Sequence, residues 1–324
     1  MKSIAFFNNK GGVGKTTLVY HVAYMMAEKG YNVIVADLDP QANLSSMFLS
    51  EAGLYEKINQ GLSIMEALKP LVKGTGDIQD AHIESISHNL HLIIGNLDLA
   101  SFEDELSKSW GESMDGKEPA FRKMSSFYRI LNNAALSVSA DYILLDVGPN
   151  LGAINRAALI AVDFVIVPVG ADLFSVQGIT NVGQTIKDWR MGWHRRLTVN
   201  PEPQLALPKG NIQPIGYIVS QHGVKESRAV SAYLNWAEKI PAIYRTAILD
   251  QAPDADILLD NDPHCLAQLK HYRSLAPMAM ESNKPMFSLK PADGAIGSHL
   301  QAVRKAYSDF EELTLKILEN TSSL

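Results

Sequence analysis

Ten residues, Asn8 to Thr17 (NNKGGVGKTT), constrain this chain more than any other stretch. The run SIAFF before them has the composition of a short strand, and LVYHVAYMMAEKG after them has helical spacing. The order strand, glycine loop, helix predicts that backbone N–H groups of Gly11, Gly12, Val13 and Gly14 turn inward at the positive end of a helix dipole. Such a nest suits phosphate. Lys15 is expected to reach the β- and γ-phosphates of ATP, Thr16 to place its hydroxyl on the bridging Mg²⁺, and Thr17 to complete the cradle. The competing reading is a glycine-rich turn with two solvated lysines, and the agreement of spacing, strand, helix and Thr16 goes against it.

Composition sets the outer limits. With 324 residues, 46% of them hydrophobic, the chain can bury a large core. Its single cysteine, Cys265, excludes an internal disulfide framework and any CxxC metal or redox site. The first strand begins almost at residue 1 and no apolar run approaches membrane-spanning length, so a cytoplasmic protein is expected.

Along the chain, the pattern is βα alternation, predicting an α/β fold with a mostly parallel twisted sheet and helices on both faces. The stretch YNVIVADLDPQAN is a continuous β-branched strand that ends in Asp37 and Asp39, at the sheet edge where open α/β folds bind ligands. Asp37 is expected to support the magnesium shell and Asp39 to orient the attacking water. From Glu51 to Ala140 the pattern loosens into a helical elaboration of the single domain 1–324, with an exposed loop near Gly111 to Pro119. DYILLDVGPN then supplies a second strand-end carboxylate, Asp146, to hold Mg²⁺ through water, followed by Gly148 and Pro149 as a segment able to sense the γ-phosphate. The segment ESRAVSAYLNWAEKI reads as a helix.

Charge distribution adds one candidate surface. The net charge is −6, yet Lys187 to Arg245 holds nine Lys and Arg against four acids. Within it, KDWRMGWHRRL combines Lys187, Arg190, Arg195 and Arg196 with Trp189 and Trp193. One reading is a DNA-binding surface with stacking tryptophans; the other is a helix end whose rings face the core. The stretch DQAPDADILLDNDPH, part of a region at 250–265, reads as a solvated acidic insertion. The last helix, Ser298 to Leu318, carries Leu300, Val303, Tyr307, Phe310 and Ile317 as an apolar stripe. Its opposite face mixes Arg304 and Lys305 with Asp309, Glu311 and Glu312, which favours docking on the domain over a membrane surface.

Four motifs in order, KGGVGKTT at Lys10, VADLDPQANLS at Val35, YILLDVGPNLGAI at Tyr142 and DFVIVPV at Asp163, resemble those of ParA-type partition ATPases, the branch without an N-terminal helix-turn-helix domain. The resemblance implies a deviant Walker A loop in which Lys10 crosses a dimer interface to the partner's nucleotide. It also implies ATP and Mg²⁺ as ligands, an ATP-bound homodimer, slow ATP hydrolysis stimulated by a ParB-like or cargo adaptor protein, and binding to nonspecific double-stranded DNA. A fifth, weaker match at LAPMAMESNKPMF implies that Pro277 packs on adenine. The chain departs from the family where Gly148 precedes a single proline and where Arg156 stands at a usually apolar position. Three other readings remain open: a membrane-positioning ATPase like MinD, a metabolic enzyme that uses ATP to activate a small carboxylate or amine, and a regulatory ATPase of a plasmid, phage or defence operon. A metabolic enzyme of the same P-loop class would turn over only with its own small substrate.

Overall fold

Eight strands of the described residues form one sheet: β1 Lys2–Phe6, β2 Val33–Asp37, β3 Glu84–Ser87, β4 Leu90–Ile93, β5 Tyr142–Asp146, β6 Phe164–Gly170, β7 Gln213–Ser220 and β8 Cys265–Leu269. Their order is β3-β4-β2-β5-β1-β6-β7-β8, and β3 with β4 is the one antiparallel pairing among them. The computed structural model describes residues 1–220, 235–254, 256–270, 272 and 274–322. This is the expected α/β sheet. Most of the segment read as a helix at 226–240 lies outside the described residues.

Both faces of the sheet are covered. Ile4 and Phe6 of β1 pack with α1 (Lys15–Glu28) and with the last helix, α12 (Ser298–Ser322), while Ala5 and Phe7 face the opposite core with α8 (Ala153–Ile160) and α9 (Leu173–Leu197). Strands buried on both sides need no alternation, and VIVAD in β2 is buried at every position. Val303, Phe310 and Ile317 of α12 are buried against this domain, and Leu300 is 37% exposed at its start. Among the described residues, no helix is long and apolar enough to cross a membrane.

Between β2 and β5 lie α2 (Asn43–Phe48), α3 (Glu51–Asn59), α4 (Ile64–Val72), α5 (Phe102–Glu112), α6 (Glu118–Met124) and α7 (Ser126–Val138), together with the β3–β4 hairpin. The loop expected near Gly111 is a correction: α5 runs through Glu112 and α6 starts at Glu118. Its polar composition hides a narrow stripe, because Phe102 and Leu106 are buried one turn apart and Trp110 follows. The acidic stretch is also only partly solvated. Asp262 is buried, accepting from the Tyr217 hydroxyl at 2.7 Å and pairing with Arg245 at 2.8 Å. Arg245 stands in α10 (Ile240–Ala247), and α11 (Leu275–Ser282) follows β8.

Candidate nucleotide site

Parallel registry brings the chemistry together. Phe6 and Asp37 both lie opposite Asp146, so β1, β2 and β5 end side by side where the chain leaves β1 for the glycine loop. Gly12 (φ +75°) and Gly14 (φ +83°) hold left-handed conformations that a side chain would strain. Gly14 is also the N-cap of α1 and offers no side chain, leaving the first N–H groups of the helix for a ligand. Lys15 is buried and donates to the carbonyls of Asn8 and Lys10, each at 3.2 Å. Burial lowers its pKa, while the Asp146 and Asp39 carboxylates oppose that shift.

A cavity of about 470 Å³ opens over this loop, lined by Gly11, Gly12, Gly14, Lys15, Thr16, Thr17, Asp39 and Pro149. A second, of about 250 Å³, reaches from Gly12, Val13, Gly14 and Thr17 to Ser220 and Lys270 at the ends of β7 and β8. Val13 buries its side chain and accepts a hydrogen bond from Ser220 Oγ at 3.1 Å. Pro277 is a correction. It is exposed and lines neither cavity; Ala276, Ala279 and Met280, spaced three and four apart, form the face of α11 toward the larger one.

Asp37 and Asp146 sit side by side and fully buried. Asp37 Oδ2 accepts from the Ser45 amide and hydroxyl at 2.7 Å, but its Oδ1 and both Asp146 oxygens have no partner. Burial raises both carboxyl pKa values; the Asp37 carboxylate raises that of Asp146 further, and the Asp39 carboxylate raises both. Orphaned, hard oxygens next to Thr16 suit a divalent cation that keeps several waters. Asp39 is nearly buried, and its Oδ1 accepts from the Gln41 amide at 3.0 Å.

Lys10 is held within its own chain. Its Nζ donates to Asp172 Oδ1 at 2.7 Å, Oδ2 at 2.6 Å and Ser175 Oγ at 3.0 Å. Asp172 is simultaneously the N-cap of α9, accepting from Phe174 and Ser175 amides at 3.0 Å. The sequence reading missed this partner because Asp172 is 162 positions away.

The four cations of the candidate DNA surface do not form one. Arg196 is buried, donating to Trp110 O at 2.8 Å and Gly192 O at 2.7 Å, with its guanidinium 3.7 Å from the Trp110 ring centroid. Lys187 is paired with Asp250, and half-buried Arg190 donates to Ile212 O at 2.7 Å. Trp189 and Trp193 are buried in the core. Only Arg195 of the four is exposed; His194 Nε2 bonded to Lys209 O at 3.0 Å brings exposed Lys209 to the same end of α9.

His21 ties the nucleotide helix to the C-terminal part of the chain. Met286 N–H donates to its Nε2 at 3.0 Å, so the ring proton is on Nδ1, donating to Thr17 O at 2.7 Å. Complete burial, with Phe310 stacked 4.7 Å away, depresses its pKa to about 4 against the backbone bond. A depressed histidine stabilises the fold fully above its unfolded pKa near 6.5 and loses that contribution as pH falls toward 4. The expected loss is about 3 kcal/mol. Asp37 and Asp146, raised instead, act in the opposite sense. The check is therefore the difference in urea unfolding free energy between wild type and His21→Gln at pH 7 and pH 4.5, which should shrink at the lower pH.

A family model described as an AAA domain (AAA_31) matches residues 1–199. The chain belongs to this family, the ParA-type P-loop ATPases. The chromosome-partitioning ATPase Soj of Treponema pallidum is 29% identical over 198 residues, 61% of this chain and 68% of that protein. In general the chain spans about half to two-thirds of the length of the curated relatives it matches. Among solved structures, a Borrelia burgdorferi plasmid partition protein bound to AMPPNP superposes with TM-score 0.58, 22% identity and 98% of both chains. Cobyrinic acid a,c-diamide synthase from Mycobacterium smegmatis, with ADP and magnesium, gives 0.52, 23% identity, and 74% and 82% coverage. These two likenesses establish the fold.

Proposed function

We propose that this chain is an ATP-driven dimerisation switch that hydrolyses ATP slowly and, as the ATP-bound dimer, binds double-stranded DNA without sequence preference. The observation that carries this reading is the convergence of the glycine nest, buried Lys15, Thr16 and Asp39 on one cavity, with the buried, orphaned Asp37–Asp146 pair at the adjoining strand ends. Backbone N–H groups of Gly11 to Gly14 and the Lys15 ammonium bind and orient the triphosphate. Thr16, Asp37 and Asp146 would hold Mg²⁺, which would supply charge neutralisation to the triphosphate. Asp39 orients water at the cavity wall. The base lies toward the ends of β7 and β8, or against α11, through residues other than Pro277. Slow turnover in the cytoplasm, stimulated by a ParB-like or cargo-adaptor protein, completes the cycle.

In this scheme the Lys10–Asp172 pair is a latch, since Lys10 has to leave Asp172 to reach a partner's nucleotide. Asn caps a helix about as well as Asp, so Asp172→Asn removes the charge and keeps the cap. The pair is about one-third exposed. At up to about 1 kcal/mol per latch, with two latches opened per dimer, the variant is expected to dimerise roughly tenfold more tightly with ATP. Analytical ultracentrifugation across protein concentration measures it.

The DNA element is tested by binding to a nonspecific duplex with Mg-ATP and with Mg-ADP across a salt series. Binding confined to ATP, with a steep salt slope, is expected because dimerisation doubles the phosphate contacts. Arg195→Glu with Lys209→Glu should weaken it. Absence of binding in both states with dimerisation intact would favour a protein-directed or membrane-positioning switch.

A further inference from the structure

We propose that the helical insertion between β2 and β5 is a clamp on the loop 147–152, with Glu103 and Trp110 of α5 as its positioning residues. The inference rests on the nucleotide-switch reading above and assigns the insertion its part in that switch. Glu103 forks onto the first turn of α8: Oε1 accepts from the Ala153 amide and Oε2 from the Ile154 amide at 2.9 Å. A helix start that follows directly on the loop is thus capped by a carboxylate 50 positions away. Gly152 permits this approach. Its φ of −78° is ordinary, but a Cβ there would stand 2.5 Å from Glu103 Oε1.

The second grip is two turns further along α5. The Trp110 ring lies 4.4 Å from the guanidinium of Arg156 in α8 and 3.7 Å from that of Arg196 in α9. Arg156, the residue that departs from the family's apolar preference, therefore has a partner supplied by the insertion. Held at both points, α8 passes its position to the loop through Asn155, whose Nδ2 donates to Gly148 O at 2.8 Å and Asn150 O at 2.7 Å. Gly148 in turn faces Asp39, since a Cβ on it would be 3.6 Å from Asp39 Oδ1, and Pro149 lines the nucleotide cavity. The path runs from Glu103 and Trp110 through α8 and Asn155 to the loop beside Asp39. A shift of α5 therefore shifts the wall where water must be placed.

The test uses the full chain with Glu103→Ala, Gly152→Ala and the double variant; Gly152→Ala breaks the same contact from the other side and leaves α5 intact. ATP affinity from a fluorescent ATP analogue and single-turnover hydrolysis are measured for each. Loss of positioning by a fraction of an ångström should slow hydrolysis about tenfold while ATP affinity changes less than about twofold. The double variant should be no slower than the slower single one. Wild-type hydrolysis in a folded Glu103→Ala variant, or effects that multiply in the double variant, would overturn the clamp. If wild type itself hydrolyses nothing, the switch reading fails separately, and hydrogen exchange decides the clamp. Mg-AMPPNP should slow exchange of amides in 103–112 in wild type and not in Glu103→Ala, and equal responses in the two proteins would overturn it.

Discussion

Lys15→Ala is expected to weaken ATP binding by about a hundredfold. Lys15 is the buried cation of the loop, 3.2 Å from two carbonyls that hold its ammonium in place, with Asp146 and Asp39 close enough to favour its charged form. Removing it leaves a triphosphate in a partly desolvated site with its charge opposed by backbone amides and Mg²⁺ but by no buried ammonium, a loss of about 3 kcal/mol. Isothermal titration with Mg-ATP measures it. Because Lys15 lines the cavity, water can reach the two carbonyls it vacates and the variant should fold; retained wild-type affinity would remove the nucleotide assignment of the loop.

Asp39→Ala separates binding from chemistry. Asp39 lines the cavity, and its hydrogen bond to the Gln41 amide fixes its orientation without consuming its second oxygen. Losing the group that orients water should slow hydrolysis by about 10²- to 10³-fold, in the range of general acid–base effects, and leave ATP affinity within a fewfold of wild type. The ATP-bound dimer should then persist. Normal hydrolysis in this variant would assign the water to another residue, and Asp37, which accepts from Ser45, and Asp146, both fully buried and outside the cavity lining, are poorly placed to replace it.

The parts of the site that sequence made legible are those written locally. Glycine spacing and flanking patterns announce a phosphate loop because the loop, the strand before it and the helix after it are contiguous. Asp37 and Asp146 were legible because strand ends in a parallel sheet share one edge, and the registry places them side by side. Most of the failures are long-range. Arg196 reads as a surface cation until Trp110 and Ser113, more than eighty positions earlier, supply its acceptors. Asp172 carries no motif, yet it holds Lys10. Pro277 sits on the right helix and the wrong face, a one-position displacement that a 3.6-residue period converts into exposure. The segment around Gly111 looked like a loop because its few buried side chains are widely spaced among acids, and tertiary packing on α8 decides what propensity alone leaves open.

Sedimentation velocity of the full chain with Mg-AMPPNP and with Mg-ADP tests the central claim most directly. The expected result is a 35.5 kDa species with ADP and a species of twice that mass with the ATP analogue, which Lys10→Ala converts back to the smaller one. The same mass in both nucleotide states, with both nucleotides demonstrably bound, would contradict an ATP-driven dimerisation switch.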